Sequence, residues 1–183
     1  MTPVGQAHAI ELTRRWLERF VIGLGLCPFA AAPYRLERIA YIVCEETSAD
    51  GIYRSFLAAL EALIVADPQE QETALLILTG GLPDFNNYLD QLTTLERAVE
   101  DAGLDGVIQV ASFHPDYRFA DTPRDDPANF SNRSPFPMFH LIREDGLAAA
   151  LESYPEPETI PDRNIRRLRE LGVAGIRGLL DEE

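Results

Sequence analysis

Three short apolar runs constrain this chain more than any other feature. Residues 39–44 (IAYIVC), 73–79 (TALLILT) and 107–113 (VIQVASF) are rich in aliphatic residues and too short for helices. Two stretches of helical period separate them. In residues 52–65 the buried face is marked by Ile52, Phe56, Leu60 and Leu63, and Asp67-Pro68 closes the helix. In residues 84–102, Phe85, Tyr88, Leu89, Leu92, Leu95 and Val99 face in, and Gly103 supplies the stop. Strand, helix, strand, helix, strand is a βαβαβ pattern. Each crossover is long enough to return the chain parallel, with right-handed connections. Strands this uniformly apolar suit a sheet covered on both faces. The expected fold is therefore α/β, with a mostly parallel sheet of three to four strands covered by helices.

The remaining segments fit around this core. Residues 6–24 read as an amphipathic helix with Ala9, Thr13, Trp16, Phe20 and Leu24 on one side. Arg14, Arg15, Glu18 and Arg19 cover the other side, and Gly23 and Gly25 end it. Residues 114–134 lack any period, which predicts a long loop. Phe113, Tyr117, Phe119, Phe130 and Phe136 argue that the loop is ordered. Residues 138–151 read as a helix. A Pro-rich bridge at 154–161 leads to a last helix at 161–171, and 173–176 offers room for a fourth strand. With 183 residues and no low-complexity linker, residues 1–183 are expected to form one domain.

Charge narrows the function classes. Thirty acidic residues face 16 basic ones, for a formal net charge of −14, and every basic residue is arginine. Without lysine, Schiff-base chemistry and a phosphate-loop lysine are excluded. The negative charge disfavours nucleic acid and anionic membranes as partners. No apolar run reaches the roughly 18 residues of a membrane helix, and the N-terminal MTPVGQAHAIELTRR does not resemble a secretory leader. Two cysteines make no disulfide framework at this length. A cytoplasmic protein with reduced thiols is the expectation; its oligomeric state is left open.

Ligands of an open parallel sheet bind beyond the carboxyl ends of the strands. That rule selects Glu45-Glu46-Thr47, Gly80-Gly81-Leu82-Pro83-Asp84 and His114-Pro115-Asp116-Tyr117, which should share one rim. The third of these opens the long polar loop.

Four pieces carry a family likeness: CPFA (27–30), PDFNNYL (83–89), IQVASFHPDYRF (108–119) and NRSPFPMFHLIRE (132–144). They resemble an uncharacterised bacterial family catalogued as domain of unknown function 1415, over most of the chain. The resemblance implies membership and carries no catalytic role.

The candidate residues follow from position and chemistry. His114 at the rim is a candidate general base, oriented by Asp116 or Glu45. The alternative is a histidine bonded to backbone at a strand end. His140 and Glu144 are four apart on an expected helix, so with His114 they form a candidate divalent-metal set of two histidines and a carboxylate. The alternative is a hydrogen bond on a helix surface. Arg133 and Arg143 present planar forks for a carboxylate or phosphate, with Arg133 expected near a helix start before Ser134-Pro135. The competing reading pins them to Asp121, Asp125 or Asp126. Asn132, Tyr117 and Asp116 complete the candidate substrate-binding set. Cys27, before Pro28, could cap a short helix as a nucleophile with a lowered thiol pKa and a histidine partner, or lie buried as a small hydrophobe. Gly80-Gly81 could cradle an anion, though tight turns also need glycine.

The function expected from this set is an enzyme acting on a small anionic metabolite. His114 would do acid–base work, His140 would assist, and Arg133 and Arg143 would hold the anion. A non-catalytic ligand-binding or regulatory module is the alternative. A structural protein, with the loop as a clasp, is the third reading.

Overall fold

The computed structural model describes residues 5–152 and 154–181, so the first residues of the stretch inspected for a leader lie outside it. Its sheet begins with β1 (Ile39–Cys44), β2 (Thr73–Leu78) and β3 (Ile108–Phe113). Helices α3 (Ala49–Val65) and α4 (Phe85–Asp101) join them, after α1 (Gln6–Arg15) and the short α2 (Ala31–Arg35). Local chemistry starts both crossover helices. The Ser48 hydroxyl accepts the Gly51 N–H at 3.1 Å, and Asp84 accepts the N–H groups of Asn86 and Asn87, both at 3.0 Å. Ile52, Phe56, Leu60 and Leu63 of α3 and Tyr88, Leu95 and Val99 of α4 are buried as the period requires, whereas Leu89 is exposed.

Residues 138–151 are not one helix. They form a fourth strand, β4 (Met138–Arg143), followed by α5 (Glu144–Glu152). β4 lies between β2 and β3, antiparallel to both, and the strand order is β1-β2-β4-β3. The three predicted strands do run the same way, but only β1 and β2 pair in parallel. The mostly parallel sheet expected from the sequence is therefore corrected to one parallel and two antiparallel pairs. The cause lies in MFHLIR itself. As an inner strand it is covered on both faces, so it loses the alternation that would distinguish it from a buried helix.

Helices cover both faces. Phe139 and Leu141 pack with Ala74, Leu76 and Leu78 under α3 and α4. On the other face, Met138, Leu75 and Ile77 pack with Trp16, Phe20, Leu168 and Ile176. Trp16 and Phe20 lie on a π-helical segment, Trp16–Ile22, that continues α1. The last helix, α6 (Ile160–Asp181), breaks at Gly172, whose φ of 65° is left-handed. The 173–176 stretch is thus helical, not a fourth strand.

The three rim segments do meet. A Cβ on Gly80 would lie 2.2 Å from the Glu45 carbonyl oxygen, and one on Gly81 would lie 2.7 Å from that of Glu46. The glycines let the turn after β2 touch the turn after β1, which accounts for them without an anion. Gly80→Ala is expected to cost about 2 kcal/mol, since backbone must shift to admit the methyl. Urea denaturation measures it; an unchanged midpoint would show that the turn relaxes freely.

Candidate functional site

The connection from β3 to β4 folds around a single 3₁₀ turn, Pro127–Asn132, capped by Asp126. Side-chain to backbone bonds hold the rest. Asn129 is fully buried; its Oδ1 accepts the Phe119 N–H at 3.1 Å and its Nδ2 donates to the Pro123 carbonyl at 2.7 Å. Asn132 donates from Nδ2 to the Ser112 carbonyl at 3.1 Å. Asp126 also receives Nε and a terminal nitrogen of Arg169, at 3.2 and 2.9 Å, tying the loop to α6. That fork, with the Ala128 N–H, holds the Asp126 carboxyl below its ordinary pKa.

His114 belongs to this framework. Nε2 faces the Leu82 carbonyl at 3.1 Å, while Nδ1 faces the Asp116 N–H at 3.0 Å. A carbonyl only accepts and an amide only donates, so the ring is the neutral tautomer with its proton on Nε2. Burial pushes its pKa down, against the opposing pull of the Leu82 carbonyl. Both nitrogens are occupied by backbone, as in the strand-end reading of this residue. In this arrangement neither is free to take a proton from a substrate. The Leu82 that it holds is itself left-handed, with φ 54°. Asp116 lies against Arg124, 3.1 Å away, rather than behind the imidazole.

The other candidates disperse. His140 is on β4, its Nε2 2.6 Å from the Thr73 hydroxyl, which in turn donates to the Leu141 carbonyl at 2.6 Å. Burial holds its pKa down at about 4. Glu144 starts α5, so the shared helix face expected of His140 and Glu144 does not exist. Among the described residues, no three His, Cys, Asp or Glu side chains are grouped to hold a metal ion, and the metal set of His114, His140 and Glu144 is withdrawn. Arg143 lies at the opposite end of the sheet, because β4 runs against its neighbours. There its guanidinium donates to the carbonyls of Leu63 and Ala66, closing the end of α3, so it does not join Arg133. Cys27 does not cap a helix. α2 starts at Ala31, and burial raises the Cys27 thiol pKa, the opposite of activation.

Arg133 closes the 3₁₀ turn instead of preceding a helix. Nε donates to the Tyr117 carbonyl at 3.1 Å and a terminal nitrogen to the Arg124 carbonyl at 2.6 Å. Backbone oxygens thus pin it, not the aspartates. Its guanidinium lies 4.6 Å from the Phe130 ring centre. Tyr117 packs its ring between Phe85 and Phe119.

Arg133 also opens onto a cleft of about 410 Å³ that the sequence did not reveal. One wall is Leu12, Arg15, Trp16 and Arg19; the second is Pro115, Asp116, Phe130, Arg133, Ser134 and Pro135; the third is Arg177, Leu179 and Leu180 of α6. Among the described residues, four arginines line this cleft, with Asp116 as the carboxylate on its wall, and Arg15 is also ion-paired with Glu11 at 3.4 Å. Burial lowers the Arg133 pKa, and the neighbouring Arg124 and Arg177 charges lower it further. Trp16 packs edge-on to Phe113 at 5.4 Å, and its indole N–H has no hydrogen-bond partner among the described residues. The helical period puts Arg15 and Arg19 on the side away from Ala9, Thr13 and Phe20, yet both line this cleft. The available signal was the spacing of Leu12, Arg15, Trp16 and Arg19 at i, i+3, i+4 and i+7, which lines one helix side. Nothing local in the sequence pointed to Arg177.

A family model described as a protein of unknown function, DUF1415, matches residues 8–178. No curated protein and no solved structure matches the chain.

Proposed function

We propose, for a chain that belongs to this DUF1415 family of proteins of unknown function, that it binds a small organic anion in the arginine-lined cleft. The observation that carries this is the convergence of Arg15, Arg19, Arg133 and Arg177 from three separate parts of a chain whose net charge is −14. Arg15 is ion-paired with Glu11 at 3.4 Å, but the Arg177 charge bears on Arg133, and an anion between them would offset that repulsion. The apolar walls, Trp16, Phe130, Leu179 and Leu180, suit the body of such a ligand. Binding without turnover is the reading that fits the ionisable groups lining the cleft. Among the described residues they are four arginines and Asp116, and the Ser134 hydroxyl is engaged by the Phe136 carbonyl at 2.6 Å. His114 supports the loop beneath.

Trp16 is the only tryptophan, so its emission reports on the cleft directly. Hexanoate or hexyl phosphate is expected to change that emission saturably, and added salt to weaken the effect. Arg177→Gln, at an exposed position, should weaken binding about tenfold, the loss of one charge-assisted hydrogen bond. If neither anion gives a saturable change or raises the melting temperature, the proposal fails.

A further inference from the structure

We infer that the outer edge of β1 is a contact surface for a second copy of this chain, which adds its own β1 antiparallel about a two-fold axis at Tyr41. The sheet has two edges, β1 and β3, and the chain treats them differently. On β3 the Glu144 N–H bonds the Val107 carbonyl, so odd-numbered residues address β4 and Ile108, Val110 and Ser112 turn outward. The chain caps that edge at both ends. The Ile108 N–H donates to the Leu104 carbonyl at 3.0 Å, and Asn132 Nδ2 donates to the Ser112 carbonyl at 3.1 Å.

β1 has no such cover among the described residues. The Thr73 N–H bonds the Arg38 carbonyl and the Thr79 N–H bonds the Cys44 carbonyl, so even-numbered residues of β1 address β2. Ile39, Tyr41 and Val43 turn their N–H and C=O groups outward, and none of these groups has a hydrogen-bond partner among the described residues. Helices α1 and α3 lie against the two faces of the strand, not along its edge. Edges are ordinarily blunted by a charge, a proline or a bulge. IAYIVC contains no charge and no proline, and its register with β2 runs unbroken from Ile39 to Cys44.

The free groups fit a copy of themselves. Antiparallel pairing centred on Tyr41 sets Tyr41 opposite Tyr41, Ile39 opposite Val43 and Ala40 opposite Ile42. Each copy's three outward N–H groups then meet the other's three outward carbonyls, with none left over. The side-chain pairs are aromatic with aromatic and aliphatic with aliphatic, which suits neighbouring strands. Charge agrees with this direction. A net charge of −14 opposes association in general, but within the strand no like charges meet. Arg38 precedes β1 and Glu45-Glu46 follow it, so antiparallel pairing brings Arg38 of each copy to the acidic end of the other. Arg38 also lies 3.9 Å from Glu72, and Glu37 is turned to Arg14, likewise at 3.9 Å.

An interface of this size associates weakly, so the test spans concentration. Sedimentation velocity of the full chain from about 10 μM to about 1 mM should show the mass rising toward that of two chains. Val43→Pro removes an outward N–H and spares the ladder to β2; it should weaken association at least about tenfold. Amide hydrogen exchange followed by NMR reads the register without any variant. The Ile39, Tyr41 and Val43 amides should exchange at least about tenfold more slowly at the high concentration than at the low one. Those of Ala40 and Ile42, bonded to β2, should be protected at both. The mass of one chain throughout would overturn the inference. Protection of Ile39, Tyr41 and Val43 already at the low concentration would show that the chain, residues 1–4 included, covers its own edge, and would overturn it too. A dimer in which these amides stay fast, or one that Val43→Pro leaves undiminished, would place the interface elsewhere.

Discussion

His114→Ala lowers stability by about 3–4 kcal/mol, the largest loss expected of any single substitution considered for this chain. Three consequences add up. The Leu82 carbonyl and the Asp116 N–H each lose their partner. A void opens between the rings of Phe85 and Tyr88, whose centres lie 5.3 and 5.1 Å from the imidazole. And Leu82 loses the bond that holds its left-handed backbone. His114→Gln, which can still donate toward Leu82, should recover part of the loss. The measurement is urea unfolding followed by circular dichroism. A loss below about 1 kcal/mol would mean that the imidazole is not the clasp its bonds describe.

Acid should unfold the protein in a window set by the imidazoles of His114 and His140. The pKa of His140 is about 4 in the folded chain, against an ordinary value of 6.5, so between those values the unfolded chain binds the proton and the folded chain does not. Stability is then complete above about pH 6.5 and declines as the pH falls toward 4, by about 3 kcal/mol in all for this residue. His114, also shifted down, acts in the same direction. Asp126 acts lower: its folded pKa is below the ordinary 3.8, so its contribution is lost only as the pH falls through that depressed value. His140→Gln separates these contributions, because the amide can still donate to the Thr73 hydroxyl and cannot titrate. The variant should lose clearly less stability than the parent between pH 6.5 and 4. Identical pH profiles would show that His140 is solvated well enough to titrate normally.

Much of the frame was legible because it is local. The two crossover helices carry their own caps, Ser48 and Asp84, and their own period. The common rim followed from strand direction alone. What escaped was non-local. MFHLIR could be assigned to a strand only by knowing that sheet lay on both sides of it, and with that assignment went Arg143, His140 and Glu144 as site residues. The cleft escaped for a related reason. Its arginines lie at positions 15, 19, 133 and 177, and only packing brings the three segments together. Arg133 and Asp116 were found because they sit in the loop that the rim rule selects; Arg177 had no such marker.

The placement of β4 also bears on how the chain acquires its shape during synthesis. When the ribosome has released residues up to 113, only β1 and β2 have a neighbour to pair with. β3 must wait, because the strand that joins it to the others is still unmade. Both exposed edges are then open to the wrong partner. The next strand to emerge settles them at once, joining β2 on one side and β3 on the other. The segment that must be traversed before this happens is the loop that carries Asp116 and Arg133. A slow or misfolded loop therefore delays the sheet itself, and lesions there should appear first as poor yield of folded protein.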